Sequence, residues 1–345
     1  MQTIGICGHF GKGLDLSNGQ TIKTKILTEA LTAQLGPDAV RTVDSHGGPK
    51  QVPRMAAESW QMFRHCKNIL MLPAYKGLLI FAPLYLFYNL FFHRKLHYVV
   101  IGGWLDSFLD RHRWIEPVLK RFDGIYVETT TMQRALEKRG FSNLVVLPNF
   151  KPLTPVEGPL ADAWPGEPYR LCTFSRVMEK KGIGDAVQAV ETINREAGRT
   201  VCTLDIYGPV WSDYTDAFAA MEKQFSPAVR YGGVIPFAES VPVLRDYFAL
   251  LFPTQFYTEG IPGTLIDAYA AGVPVLCARW ESYSDVVDEG RTGRSYPFGE
   301  ADGLLRALRQ VLADPNAWMA MKEACRAKAE TFSPACAVQI LLDRL

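Results

Sequence analysis

Several common signatures are missing from this chain. It has no CxxC pair, no D-x-D motif, no dinucleotide-type G-x-G-x-x-G, no internal repeat and no low-complexity tract. Its seven cysteines (7, 66, 172, 202, 277, 325 and 336) are scattered, which argues against a disulfide framework or a zinc site and for reduced thiols in a cytoplasmic protein. The first residues, MQTIGICGHF, open a strand with no basic head, so no secretory signal is expected. Without D-x-D, no bound divalent cation is expected and no metal ligands are assigned. In the first loop, GHFGKGLDLSNGQT (8–21), Gly8, Gly11 and Gly13 are wrongly spaced for a nicotinamide dinucleotide.

Charge is nearly balanced, at +1, but unevenly placed. Residues 1–150 carry 18 Lys/Arg against 11 Asp/Glu, and the remainder carries 19 against 25. A basic front half suits a phosphate or an acidic membrane surface; chance distribution over solvated faces is the alternative. Nothing points to nucleic acid.

A chain of 345 residues exceeds what one core usually supports, so two domains are expected. Short apolar runs at 3–8, 39–45, 68–73, 96–103, 124–129 and 144–149 read as strands. Helical patterns at 18–36 and 132–140 fall between them. The segment 151–168, KPLTPVEGPLADAWPGEP, has no periodicity and reads as a linker. Strands then resume at 169–175, 200–208, 229–234, 249–254 and 274–279, with helices from 184 to about 197 and from about 302 onward. This βα alternation predicts an α/β protein of two Rossmann-like domains with parallel sheets flanking a cleft. The boundaries are 1–150, the linker 151–168, then 169–325. A C-terminal helix at 326–345 is expected to pack back on the first domain.

One stretch carries chemistry: YTEGIPGTLIDAYAAG (257–272), directly after the strand ALLFPT. Pro262 suits a first helical position. Gly260 and Gly263, with Ile261 and Thr264 between and beyond them, let backbone N–H groups at a helix N-terminus approach an anion. Glu259 before that turn and Asp267 within the helix would each accept hydrogen bonds from hydroxyls. Diphosphate in the middle with polyols on either side describes a nucleotide-sugar. At the first turn of the same half, FSRVMEKKGIGDA (174–186) supplies Arg176 and Lys181 as cations for a diphosphate.

Together these segments resemble the retaining glycosyltransferases of family 4, of GT-B fold and bacterial polysaccharide-biosynthesis type. The likeness rests on SRVMEKKG, on FPTQFYTEGIPGTLIDAYAAGVPVL as the family's E-x7-E segment, on DEGRTGRSYP after it, and on GFSNLVVLPNF (140–150) closing the first domain. It implies that residues 169–325 bind the donor and 1–150 the acceptor. Arg176 and Lys181 would hold the diphosphate, Glu259 the donor sugar, and the position of Asp267 the ribose. It also implies transfer of a sugar to a hydroxyl of a glycan or lipid-linked oligosaccharide with retention of configuration, the leaving phosphate helping to deprotonate the acceptor. Three departures stand out. Asp267 replaces the usual second Glu and shortens its reach, Phe150 follows Asn149 in place of Gly, and Gly102 and Gly103 stand where many members have a His near the reacting sugar. Asn18 and Gly19 resemble the small-residue pair that approaches the donor phosphate from the first domain. His9, Lys12, Gly103 and Trp104 are candidate acceptor-side residues. A GT-B-like nucleotide-sugar epimerase or a non-catalytic nucleotide-sugar binder would use the same donor site.

Residues 77–92, GLLIFAPLYLFYNLFF, are apolar on every helical face and flanked by Lys76 and by His93, Arg94 and Lys95. Too short to span a bilayer, the segment reads either as core beside the sheet or as a patch dipping into the membrane interface, joined there by Trp60, Phe63 and Trp104. The second reading would place the protein peripherally on the inner face of the plasma membrane.

Overall fold

A computed structural model describes residues 3–11, 19–47, 49–153, 158–161 and 163–345. Contacts divide the chain into two units: Met1–Pro152 with Phe332–Leu345, and Leu153–Thr331.

The first unit is built on six parallel strands: β1 (Ile4–Gly8), β2 (Val40–Asp44), β3 (Asn68–Met71), β4 (Lys95–Val99), β5 (Gly124–Val127) and β6 (Leu144–Val146). They are ordered β2-β1-β3-β4-β5-β6. Helices cover the sheet, which is why β1, β3 and β5 are buried along their whole length and read as continuous apolar runs. The helix Val52–His65 has no counterpart in the strand-led sequence reading, although Met55, Ser59, Met62 and Phe63 recur at helical spacing and are its buried face. Residues 77–92 lie in the helix Lys76–Phe92, which buries Leu78, Phe81, Ala82, Tyr85 and Tyr88. Phe63 is fully buried against them, so it belongs to the core and is no part of a surface patch.

The chain returns to this unit at its end. Ser333 Oγ caps the helix Pro334–Leu342 by accepting from Cys336 N–H. Ala337, Val338 and Leu341 of that helix enter a cluster with Leu27, Leu31, Tyr126 and Leu147.

The second unit also has six parallel strands: β7 (Tyr169–Phe174), β8 (Cys202–Tyr207), β9 (Val229–Gly233), β10 (Ala249–Phe252), β11 (Val275–Arg279) and β12 (Gly293–Pro297). Their order is β12-β11-β10-β7-β8-β9. That is the doubly wound order 3-2-1-4-5-6 of the Rossmann fold, with its reversal between β7 and β10. Strand β12 escaped the sequence reading because GRSYP is a polar edge strand with only Gly293 and Tyr296 buried. Part of the proline-rich stretch 151–168 packs on this unit. Leu160 is buried against Gly272, and the Trp164 ring meets Phe248 at 5.5 Å.

Candidate functional site

In an open α/β sheet, ligands lie beyond the carboxyl ends of the strands where the strand order reverses. In the second unit that point lies between β7 and β10. The chain leaving β7 passes Ser175 and Arg176, enters a 3-10 turn at Glu179–Lys181, and starts the helix Ile183–Ala197 after Gly182. Gly182 has φ 68°, and a Cβ there would lie 2.0 Å from the Pro253 carbonyl oxygen. Only glycine allows the turn to rest directly on the chain that leaves β10. Gln255 N–H donates to the Lys180 carbonyl at 2.8 Å and fastens the two segments together.

This contact brings Lys181 Nζ to 2.7 Å from Glu259 Oε1. Both are largely covered, at 9% and 18% exposure. Thr254 Oγ1 donates to Glu259 Oε2 at 3.3 Å, and Ser282 Oγ donates to the Glu259 backbone carbonyl at 2.7 Å. The Lys181 ammonium also stands over the rings of Phe252 and Phe256, at 5.4 and 5.1 Å. Thr254, Ser282 and the two phenylalanines were missed in the sequence. Thr254 sits directly behind an apolar strand, and its position there was the only available signal.

Beyond Glu259 the helix Gly263–Ala270 begins, with Pro262 as N-cap and no side chain capping its first turn. A Cβ built on Gly263 would meet nothing within 4 Å. Thr264 Oγ1 is buried without a protein hydrogen-bond partner. An uncapped helix start beside a cation is a site for an anion. Ile261 is buried, and so is Asp267, at 4% exposure.

Arg176 is exposed, and its guanidinium stands 5.3 Å from the Trp211 ring centre. The close approach of Gly208 to the Ser175 carbonyl, where a Cβ would come within 1.9 Å, sets the course of this loop. A cavity of about 390 Å³ lies to one side, lined by Asp185, Gln255, Phe298 and Gly303 among others, and none of the four charged site residues lines it.

In the first unit, His9 is half-buried behind β1. Its Nδ1 is 2.7 Å from Thr21 Oγ1 and its Nε2 is 2.8 Å from His46 Nδ1. Burial, reinforced by His46, lowers its pKa. Gly19 starts the helix Gly19–Leu35, and Gly103 follows β4. Trp104 donates from Nε1 to the Ile101 carbonyl at 2.7 Å and stacks on Tyr75 at 4.4 Å. Lys12 and Asn18 lie outside the described residues.

Comparison with known proteins finds similarity along the chain. A family described as "Glycosyl transferases group 1" matches residues 168–314, which hold the Lys181–Glu259 pair. Sucrose-phosphate synthase from Thermosynechococcus elongatus superposes with a TM-score of 0.75 at 18% identity, covering 100% of this chain and 98% of that one. HepE of Anabaena, solved in complex with UDP-glucose, superposes with a TM-score of 0.73 at 15% identity over the full length of both chains. The fold is GT-B.

Among curated relatives of this GT-B chain, the amylovoran biosynthesis glycosyltransferase AmsK of Erwinia amylovora is 27% identical over 169 residues, covering 48% of this chain and 41% of AmsK. The chain spans about half the length of the curated relatives it matches.

Proposed function

We propose that this chain is a glycosyltransferase that moves a sugar from a nucleoside-diphosphate sugar to a hydroxyl of a glycan or lipid-linked oligosaccharide in cell-surface polysaccharide assembly. The observation that carries the reading is the 2.7 Å Lys181–Glu259 pair at the switch point of the second sheet, beside an uncapped helix start. The likeness to AmsK supports sugar transfer in polysaccharide biosynthesis, and the likeness to HepE solved with UDP-glucose supports a nucleotide-sugar donor.

In this reading, carbon–oxygen cleavage makes the glycosidic carbon cationic while negative charge builds on the diphosphate. Lys181, Arg176 and the amides at 263–264 stabilise the leaving group electrostatically. Glu259, held by Thr254 and Lys181, orients the sugar hydroxyls. The leaving phosphate takes the acceptor proton on the same face, so configuration is retained. Fixed cations neutralise the diphosphate, and the reaction needs no divalent metal.

The test is a thermal-shift and calorimetric panel of UDP and GDP against the wild type and Lys181→Ala. A specific nucleotide stabilises the wild type by mass action, about 2.7 kcal/mol at 100 times Kd. Lys181→Ala weakens that nucleotide by at least about tenfold, as expected for losing a desolvated ion pair. Equal binding by both proteins, or no binding of either nucleotide, overturns the reading.

A further inference from the structure

The helix Lys76–Phe92 spends only one face on the core. Ile80, Phe87, Leu90 and Phe91 are 44–68% exposed, and they recur at steps of seven, three and one, on one side of the helix. Pro83, half-buried, lies on the same stripe. The solvent face of a helix normally carries charge, yet residues 77–92 contain none. From Ile80 to Phe91 the stripe is about 17 Å long at the helical rise. Trp60, from the neighbouring helix, widens it, with its ring 6.0 Å from Phe91.

Charge along the stretch of chain that carries the stripe is of one sign, while Asp123 accepts from Leu96 N–H at 2.8 Å beside Lys95. No Asp or Glu occurs between Glu58 and Asp106, while Arg64, Lys67, Lys76, Arg94 and Lys95 do. Lys76 is exposed at the first turn. The other four cations gather at the far end. Arg94 donates from Nε to the Phe63 carbonyl at 2.9 Å and from Nη2 to the Arg64 carbonyl at 3.5 Å, and Lys95 N–H donates to the Lys67 carbonyl at 3.1 Å. Arg64, Lys67 and Lys95 are exposed there.

We propose that this face is a docking surface for an anionic phospholipid membrane, with the helix Lys76–Phe92 lying in the plane of the interface. Aromatic and aliphatic side chains enter the acyl boundary while the cations meet lipid phosphates. The helix has 17 residues, and no helix among the described residues is long and apolar enough to cross a membrane. An apolar protein partner or a second copy would need carboxylates to face these cations, whereas a lipid surface supplies anionic phosphates throughout. The assay below uses no sugar donor, so its outcome is independent of the proposed transfer reaction.

The experiment is co-sedimentation of the full chain with sucrose-loaded vesicles, either pure phosphatidylcholine or mixed with phosphatidylglycerol, at low and high salt. The expected result is binding to the anionic vesicles that weakens on raising salt and on removing phosphatidylglycerol. Phe87→Ser/Leu90→Ser/Phe91→Ser should reduce partitioning by at least about 100-fold, roughly tenfold for each apolar side chain withdrawn from the interface. If the triple variant misfolds, Leu90→Ser alone, at the most exposed of the four positions, should still lose about tenfold. Failure of the wild type to bind anionic vesicles, or undiminished binding by the folded variants, overturns the proposal. So does a wild-type dimer in sedimentation analysis that Leu90→Ser dissociates without any vesicle binding, because the surface then belongs to a second copy.

Discussion

Lys181 and Glu259 are 78 residues apart in sequence and 2.7 Å apart in space. Each comes from the loop behind one of the two strands that flank the reversal of strand order. The contact partners differ in what each can lose. Glu259→Gln keeps an acceptor for Thr254 and Lys181 but removes the charge. It should leave nucleotide affinity within about threefold and lower transfer by on the order of 10²–10³, the scale of one preorganised polar contact in a transition state. Steady-state kinetics on the donor decides this, and unchanged kcat/KM removes Glu259 from the reaction.

Two glycines test the geometry of the cationic turn. Gly182 and Gly198 both have left-handed φ, 68° and 64°, but a Cβ on Gly198 meets nothing within 4 Å. Gly198→Ala should therefore cost about 1–2 kcal/mol of left-handed strain and leave nucleotide binding intact. Gly182→Ala adds a collision with the Pro253 carbonyl. It should unfold at clearly lower denaturant and bind nucleotide weakly. Equal behaviour of the two variants would mean that the turn does not rest on the chain leaving β10.

His97 on β4 is buried, with Nδ1 3.3 Å from the Tyr126 hydroxyl and Nε2 without a hydrogen-bond partner. Burial pushes its pKa down to about 4. The unfolded chain holds that proton below about pH 6.5 and the folded chain does not, so stability falls as pH drops from about 6.5 towards 4. The loss attributable to this residue is about 2 kcal/mol at pH 5. Urea midpoints for the wild type and His97→Gln, compared at pH 7 and pH 5, give the difference. Parallel pH dependence in the two proteins contradicts the assignment.

Lys23 and Glu128 form a buried ion pair at 2.8 Å, with side-chain exposures of 3% and 4%. Removing either partner strands the other charge in the core and should cost about 3–5 kcal/mol. Lys23→Met with Glu128→Leu removes both charges and should recover most of that loss. A double variant as unstable as the sum of the singles would show that the two charges are not coupled.

The parallel sheets were legible because their strands are buried on both faces and stand out as apolar runs such as TIGICG and NILMLP. Glu259, Lys181 and the helix start at Gly263 were legible because the Pro and Gly around them have few other structural uses. Less visible were features set by tertiary contact. The polar edge strand β12 takes its conformation from pairing with β11. The burial of Asp267 depends on what surrounds its helix. The apolar stripe of residues 80–91 was indistinguishable from core in sequence, since periodicity cannot mark a face when every residue is apolar. Leu86 illustrates this: it is chemically like Leu90 but packs against the core.

The first unit closes only with residues 332–345, after the whole second unit has been made. On a ribosome, about 190 residues separate Pro152 from Leu345, roughly 10–40 s of synthesis at ordinary elongation rates. Throughout that interval, Leu27 and Leu31 on the helix Gly19–Leu35 lack the neighbours supplied by Val338 and Leu341. The nascent amino-terminal half is thus born with a greasy seam that the later-made helix Pro334–Leu342 covers, and the continuous second unit is free to finish folding first.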